Sequence, residues 1–430
     1  MLMILGAGLA GLSAAYHSDG IVFEKESRVG GHAKSKQSDG FIFDEGIHVL
    51  HTSNEYVLNL LGKVGARLAS HTREAWICSF GALTRYPFQA NTYGLPVPVV
   101  KDCLLGFIQN DFKDREQIKT YQDWIYFMFG KGIAEHFMIP YSKKFWGVSA
   151  DELTTEWVNV RHPRPSLEEV IEGSLHDQTK GFGVNAEFRY PEQGGFGAIG
   201  EALARTVRDR IRLGMCVTKI DVKDRQVEFN HKEVIPYEKV ISTLPLPDIV
   251  RLTPDAPETV REAARKLRCN SILAVNLGIK QSKLTDKHWI YFLEKEYSFF
   301  RISFPFNKAP HMAPQEMSSI SAEIAYSDAH PLPCSREHIV QRVIDDLKRA
   351  RILAPDDDIV LANTIDIKYG YVIFDQARRP AIQLIHSYLE QHGIFPCGRY
   401  GEWAYLWSDE AILSGRKVAM QVQEKEGASE

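Results

Sequence analysis

The sequence predicts an α/β fold in which one parallel-sheet domain is assembled from separated stretches and interrupted by two insertions. Three observations carry this expectation. A strand, a glycine turn, a helix and a second strand follow one another over residues 2–24; strand signals of the same kind return at 211–245 and again at 393–401; and the intervening stretches differ in pattern, the first rich in aromatics and helical spacing, the second in alternating apolar residues.

Leu2-Met3-Ile4-Leu5 reads as a buried strand running into Gly6-Ala7-Gly8-Leu9-Ala10-Gly11, and the small residues Ala14 and Ala15 continue as a helix able to lie against a sheet. This is the G-x-G-x-x-G turn in its required strand-to-helix context. Gly6 permits the tight turn, Gly8 lets the backbone approach a pyrophosphate, Gly11 permits close helix–strand packing, and the helix start at Leu9 and Ala10 offers N–H groups to phosphates. The next strand, Ile21-Val22-Phe23, delivers Glu24. A carboxylate there suits a ribose with free hydroxyls and disfavours a 2′-phosphate. The unit is therefore a Rossmann-type dinucleotide site.

The segment that follows, Glu24-Lys25-Glu26-Ser27-Arg28-Val29-Gly30-Gly31-His32-Ala33, resembles the second fingerprint of the FAD family that includes amine oxidases, protoporphyrinogen oxidase and UDP-galactopyranose mutase. The resemblance implies a glutathione-reductase-like FAD domain and selects flavin over nicotinamide. It adds Lys25, Gly30, Gly31 and His32 to the candidate cofactor contacts, with Val217, in the strand-like stretch 211–222, as a further one.

A chain of 430 residues is too long for one ordinary core and can enclose a large cofactor. A net charge of −4 gives no global basic surface, so nucleic acid is not an expected partner. The first core strand follows Met1 almost at once and no apolar run reaches membrane-spanning length. A soluble, cytoplasmic protein without an integral membrane segment is the expectation. The six cysteines stand singly, with no C-x-x-C pair, so neither a metal knot nor a disulfide framework is indicated.

The FAD domain is expected to be discontinuous, comprising 1–54, 206–270 and 367–430. Strand signals at 211–222, 227–229 and 239–245 complete its sheets, and a strand at 393–401 precedes a helix over Ser408 to Gln423. The first insertion, 55–205, reads as largely helical, with helices over Tyr121 to Phe137 and Ser166 to Ser174. The second, 271–366, reads as a sheet facing the flavin, covered by an amphipathic helix over Glu337 to Arg349.

Further segments resemble UDP-galactopyranose mutase in the same order. Asp44-Glu45-Gly46-Ile47-His48-Val49-Leu50-His51-Thr52 is similar to its H-x-x-H-T loop beside the flavin ring. A lone histidine is more often a buried side chain satisfied by backbone, but the surrounding match assigns His48 to a flavin edge. Tyr141-Ser142-Lys143-Lys144-Phe145-Trp146-Gly147 is similar to the Y-x-x-K-x-W-G segment, whose tryptophan stacks on the substrate uracil, so Trp146 inherits a base-stacking role. Arg161, displaced in spacing, is the nearest match to a downstream substrate arginine. Gly398-Arg399-Tyr400-Gly401-Glu402-Trp403-Ala404-Tyr405 is similar to G-R-x-A-E-Y-x-Y, which places Gly398 and Arg399 at the flavin and Tyr405 at a diphosphate. Tyr371 matches a second diphosphate tyrosine, although Tyr369 aligns nearly as well. Arg301 is the remaining cation expected in the pocket, since a guanidinium can fork onto two phosphate oxygens.

The sequence departs from the mutases at Trp407, where they carry an acid. Phe188-Arg189-Tyr190-Pro191-Glu192-Gln193-Gly194-Gly195 is closer to the R-Y-P-x-x-G-G turn of the protoporphyrinogen-oxidase branch. The resemblance implies an FAD-dependent mutase of the isomerase class, interconverting pyranose and furanose forms of a nucleotide-diphosphate sugar with reduced flavin N5 as nucleophile at the anomeric carbon. His48 and Arg301 are its candidate catalytic residues, and Trp146, Arg161, Arg301, Tyr371 and Tyr405 its candidate substrate contacts. The alternative is an FAD oxidoreductase of the amine oxidase or protoporphyrinogen oxidase type, for which an apolar pocket suffices. No second nucleotide fingerprint is present, so reducing equivalents are expected from an external donor such as NAD(P)H.

Overall fold

The computed structural model describes residues 1–427 except 111–113, 159–161, 163 and 184–185. At its centre is a five-stranded parallel sheet ordered Ile394–Pro396, Lys239–Ser242, Leu2–Leu5, Ile21–Glu24 and Ile211–Leu213. Strands buried on both faces need covers on both sides, and their near-continuous apolar character follows from that. Met3, Ile4, Leu5, Val22, Val240, Ile241 and Ile394 are all fully buried. One cover is the helix Leu9–Tyr16 with the C-terminal helix Ser408–Gly427 packed along it.

The sequence signal at 211–222 proves to be two strands in two different sheets. Gly214, at φ +71°, breaks it, and the chain is then pinned by Gly214 N–H to the Glu26 carbonyl at 3.1 Å and Met215 N–H to the Glu24 carbonyl at 2.8 Å. Ile211–Leu213 closes the edge of the parallel sheet, whereas Val217–Asp221 begins an antiparallel meander with Gln226–Phe229 and Glu233–Pro236.

A seven-stranded sheet forms the second layer, ordered Ile359–Ile367, Ser271–Ile279, Ser318–Tyr326, Arg301–Ser303, Trp289–Phe292, Ala75–Ser79 and Ala82–Arg85. Its last two strands come from the region 55–205 and join through parallel pairing of Ala75–Ser79 with Trp289–Phe292. The same region contributes Leu68–Thr72, paired antiparallel with Glu187–Pro191. The helix Ile339–Arg349 seats Ile339, Val343 and Leu347 against the sheet beside Leu273, Val275 and Leu277.

The helix expected over Tyr121 to Phe137 is longer and less regular. It runs over Tyr121–Ile133, loses helical geometry at Gly130, passes through a π-turn at Ala134–Met138 and continues as Ile139–Trp146. Pro140 follows directly on the widened turn, where the i−4 bonding that a proline would interrupt is already displaced. This continuation carries Trp146 into the interior, where Gly147 at φ +71° ends the helix.

The seam between the first and last helices leaves no room for a side chain at Gly415. A Cβ on Gly415 would fall well inside contact distance of the Ala10 carbonyl oxygen, and would meet Ser13 Cβ at 2.8 Å and Ala14 N at 2.9 Å; nearby, Ser13 Oγ donates to the Ile412 carbonyl at 2.6 Å. Gly415→Ala is expected to cost about 2 kcal/mol through overpacking. Urea unfolding followed by circular dichroism checks this, and an unchanged midpoint would contradict it.

Candidate active site

Three glycine turns approach one another at the C-terminal edge of the parallel sheet. Gly30 N–H donates to the Ala7 carbonyl at 2.8 Å, so the second turn lies directly across the first. Gly30 and Gly31 both have positive φ, and a Cβ on Gly31 would stand 3.0 Å from Gly8 Cα. On the third side a Cβ on Gly398 would lie 2.6 Å from Ala10 Cβ. A Cβ on Gly11 would collide with the Gly6 carbonyl, which is why the helix can start so close to the strand. The helix beginning at Leu9 has no side-chain cap, so its N–H groups face the space these turns enclose.

Glu24 is buried, with Oε2 accepting from Ala7 N–H at 2.7 Å and Oε1 from Glu26 N–H at 2.9 Å. Both oxygens retain acceptor capacity for hydroxyl donors. Lys25 is exposed beside Glu26, and Val217 opens the meander strand two residues beyond the Met215 anchor. His32 lies 3.4 Å from Glu45 and 5.5 Å, edge to face, from the Tyr400 ring. Arg399 sends Nη1 to the Leu406 carbonyl at 3.0 Å and Nη2 to the Gly370 carbonyl at 3.2 Å, while its buried Nε has no partner.

The loop carrying His48 is held by buried charges. Asp44 accepts from Ser35 Oγ at 2.7 Å, Phe196 N–H at 3.0 Å and Tyr190 Oη at 2.6 Å, and pairs with Lys308 Nζ at 3.3 Å; Asp44 and Lys308 are each 2% exposed in their side chains. His48 stacks on Phe196 at 5.3 Å, and burial pushes its pKa down to about 4, so the ring is neutral at physiological pH.

Beyond this loop an aromatic cavity opens between the long helix and the seven-stranded sheet. Trp146, Arg301, Tyr371 and Tyr405 all line it, together with Tyr86, Tyr121, Tyr141, Phe145, Trp157, His162, Tyr291 and Trp407. Trp146 stands 5.8 Å from Tyr371, 5.7 Å from Tyr405 and 4.8 Å from Trp157. Arg399 carries its guanidinium over the Tyr405 ring at 4.9 Å and the Tyr371 ring at 5.3 Å, joining the glycine cradle to the cavity. Burial raises the Tyr371 and Tyr141 hydroxyls above their ordinary range, so both remain protonated donors. Tyr371, not Tyr369, faces the cavity: Tyr369 turns toward Asp248, Tyr400 and Trp403. Arg161 lies outside the described residues.

Several site residues escaped the sequence reading. Glu323, 3% exposed, holds Arg301 through Nε at 2.8 Å and Nη2 at 2.5 Å; its signal was a single acid in an otherwise apolar and small-residue strand. Lys308 and Asp44 are distant in sequence and meet only through the fold. Tyr121 and Tyr291 line the cavity from separate segments and share no local motif.

The cradle and its carboxylate define a flavoprotein, and comparison places the chain within a family. A family model for flavin-containing amine oxidoreductases matches residues 9–423, and the chain belongs to that family. Its cofactor is FAD. Among solved structures it is similar to reduced UDP-galactopyranose mutase, with a TM-score of 0.93 and 26% identity over 98% of this chain and 93% of the other. It also shares its fold with a protoporphyrinogen oxidase candidate from Exiguobacterium sp. 255-15, with a TM-score of 0.76 and 18% identity over 99% and 98% of the two chains. Among curated proteins, protoporphyrinogen oxidase 2 of Arabidopsis thaliana is 41% identical over 69 residues, which are 15% of this chain and only 14% of that protein's length.

The residues fit FAD. The interlocked glycines leave backbone surface where Cβ atoms would stand, the uncapped helix start suits a pyrophosphate, Glu24 suits a ribose, and the unpartnered Arg399 Nε lacks an acceptor.

His48 makes the site pH-sensitive in one direction. The unfolded chain protonates this ring near its ordinary 6.5, the folded chain only near 4. The unfolded state binds the extra proton between these values, so stability falls as pH drops through that window and is unaffected above it. Going from pH 7.5 to 5.0 is expected to cost the wild type about 2 kcal/mol more than His48→Gln, measured by urea unfolding at the two pH values. Equal losses would show that His48 titrates normally.

Proposed function

We propose that the protein is an FAD-dependent mutase that interconverts pyranose and furanose forms of a nucleotide-diphosphate sugar. The observation that supports this is the convergence of Trp146, Arg301, Tyr371 and Tyr405 on one cavity that Arg399 links to the flavin cradle. When bound and reduced, FAD supplies a nucleophile for the anomeric carbon, and no net oxidation results.

The chain's own residues bind, orient and exclude water. Trp146 offers a flat face to the base. Arg301 and the hydroxyls of Tyr371 and Tyr405 hold the diphosphate as it departs and returns, with Arg301 fixed in orientation before substrate arrives. The aromatic walls keep water from the opened sugar, and neutral His48 presents a hydrogen-bonding edge without a charge. Gly6, Gly8, Gly11, Gly30, Gly31, Gly398 and Arg399 are assigned to FAD, with Glu24 at a ribose. An external donor such as NAD(P)H supplies the electrons that keep the flavin reduced.

One observation favours a second reading, an FAD oxidoreductase. Among the described cavity-lining residues Arg301 is the one Lys or Arg, and its charge is already matched by Glu323. Such a cavity also suits an apolar substrate that gives up a hydride.

Anaerobic incubation with a panel of nucleotide sugars separates the two readings. Furanose product formed only with dithionite-reduced protein is the expected result. No nucleotide-sugar binding in either flavin state, with FAD intact, would sink the mutase and favour the oxidoreductase. Within the mutase reading, Trp146→Ala is expected to weaken UDP binding about tenfold or more while leaving the flavin spectrum intact. Unchanged UDP affinity would remove Trp146 from the base site.

A further inference from the structure

We propose that Glu323 is a positioning residue that couples the substrate cavity to the flavin side of the molecule, so that an anion binding at Arg301 changes the potential of the bound flavin. Arg301 and Glu323 are direct cross-strand partners in the seven-stranded sheet. The Glu323 carboxylate is shared between two regions. Oε2 accepts from Arg301 Nε at 2.8 Å and Nη2 at 2.5 Å, and Nη2 also reaches the Tyr371 hydroxyl at 3.4 Å, on the cavity side. Oε1 accepts from Ile47 N–H at 2.7 Å, in the loop that carries His48. That loop is in turn tied to the cradle through Glu45, whose carboxylate lies 3.4 Å from His32 and 3.4 Å from Lys34.

Sharing of one buried carboxylate is competitive. A guanidinium that donates to an anion in the cavity donates less to Oε2, and the charge left on the carboxylate is redistributed toward the Ile47 N–H. In a buried site each of these charge-assisted bonds is strong enough for the redistribution to matter. Gly46 lets the loop and the carboxylate come this close: it sits at φ +84°, and a Cβ there would meet Glu323 Oε1 at 3.3 Å and His48 Cε1 at 3.9 Å. The coupling is reciprocal, so an anion that shifts the potential must bind the oxidised and reduced proteins with unequal affinity. This inference rests on the reading of the cavity as a phosphate-binding site.

The test uses the FAD-loaded protein with saturating UDP and, separately, inorganic pyrophosphate, and reads the midpoint potential of the bound flavin. In the wild type the probe is expected to shift it by at least about 30 mV, equivalent to a tenfold difference in Kd between the two flavin states. Glu323→Gln keeps an acceptor for Ile47 and removes the charge shared with Arg301; the shift is expected to fall by more than half while the probe still binds. Arg301→Lys, which leaves Glu323 on Ile47, is expected to lose the shift likewise and serves if Glu323→Gln does not retain flavin. A wild-type potential indifferent to bound probe, or a shift intact in either variant, overturns the proposal, because through-space charge alone would then account for it. Pyrophosphate that shifts the potential where UDP does not bind would support the coupling and overturn the nucleotide reading of the cavity. Binding of neither would overturn both.

Discussion

The interlocking of the glycine turns at 6–11, 30–31 and 398 is the constraint on which the molecule depends. Backbone approaches that leave no space for a Cβ, at Gly11 against the Gly6 carbonyl and at Gly31 against Gly8, bring three distant parts of the chain to one edge of the parallel sheet. Each turn positions something further. The first starts a helix with free N–H groups, the second delivers His32 and the loop that follows, and the third delivers Arg399 and Tyr405. The aromatic cavity is therefore registered on the cofactor cradle through the backbone, and side-chain packing refines a placement already made.

Buried charge holds the region between cradle and cavity. Removing Asp44, Lys308, Glu323 and Arg301 from water is costly, and such groups persist only where their hydrogen bonds are well supplied. Here they are supplied generously: Asp44 takes four donors and Glu323 three. Apolar residues of similar volume could fill this space, but would not fix the direction of the His48 loop or of the Arg301 guanidinium. The charges specify orientation in the region between the cradle and the aromatic cavity.

The cradle was legible in the sequence because each of its glycines answers a local backbone demand and local demands leave fixed spacings. The aromatic segment ending in Trp146 was legible through family resemblance, although the expected helix stopped at Phe137 and the one that carries Trp146 runs over Ile139–Trp146. What the sequence hid depends on long-range pairing. The strands at 75–85 are stabilised by a parallel partner beginning at Trp289, and nothing within the strands themselves announces that partner. The break at Gly214 is decided by anchors on Glu24 and Glu26, and the choice of Tyr371 over Tyr369 by which face of the chain meets the cavity. Glu323 was overlooked for the same reason, since its partners lie on a neighbouring strand and in a remote loop.

The order of strands in the parallel sheet has a consequence for how the molecule comes into being. Leu2–Leu5 meets Ile21–Glu24 soon after both are made, but its other neighbour is Lys239–Ser242, and that strand waits in turn for Ile394–Pro396. During synthesis the apolar N-terminal strand emerges from the ribosome long before its sheet can close, leaving an open edge on a growing chain. Such high contact order makes folding slow and exposes the nascent protein to misassembly. It also makes the flavin cradle a checkpoint on completeness: a truncated chain lacks the third glycine turn and cannot form the whole site, whatever the integrity of its first two.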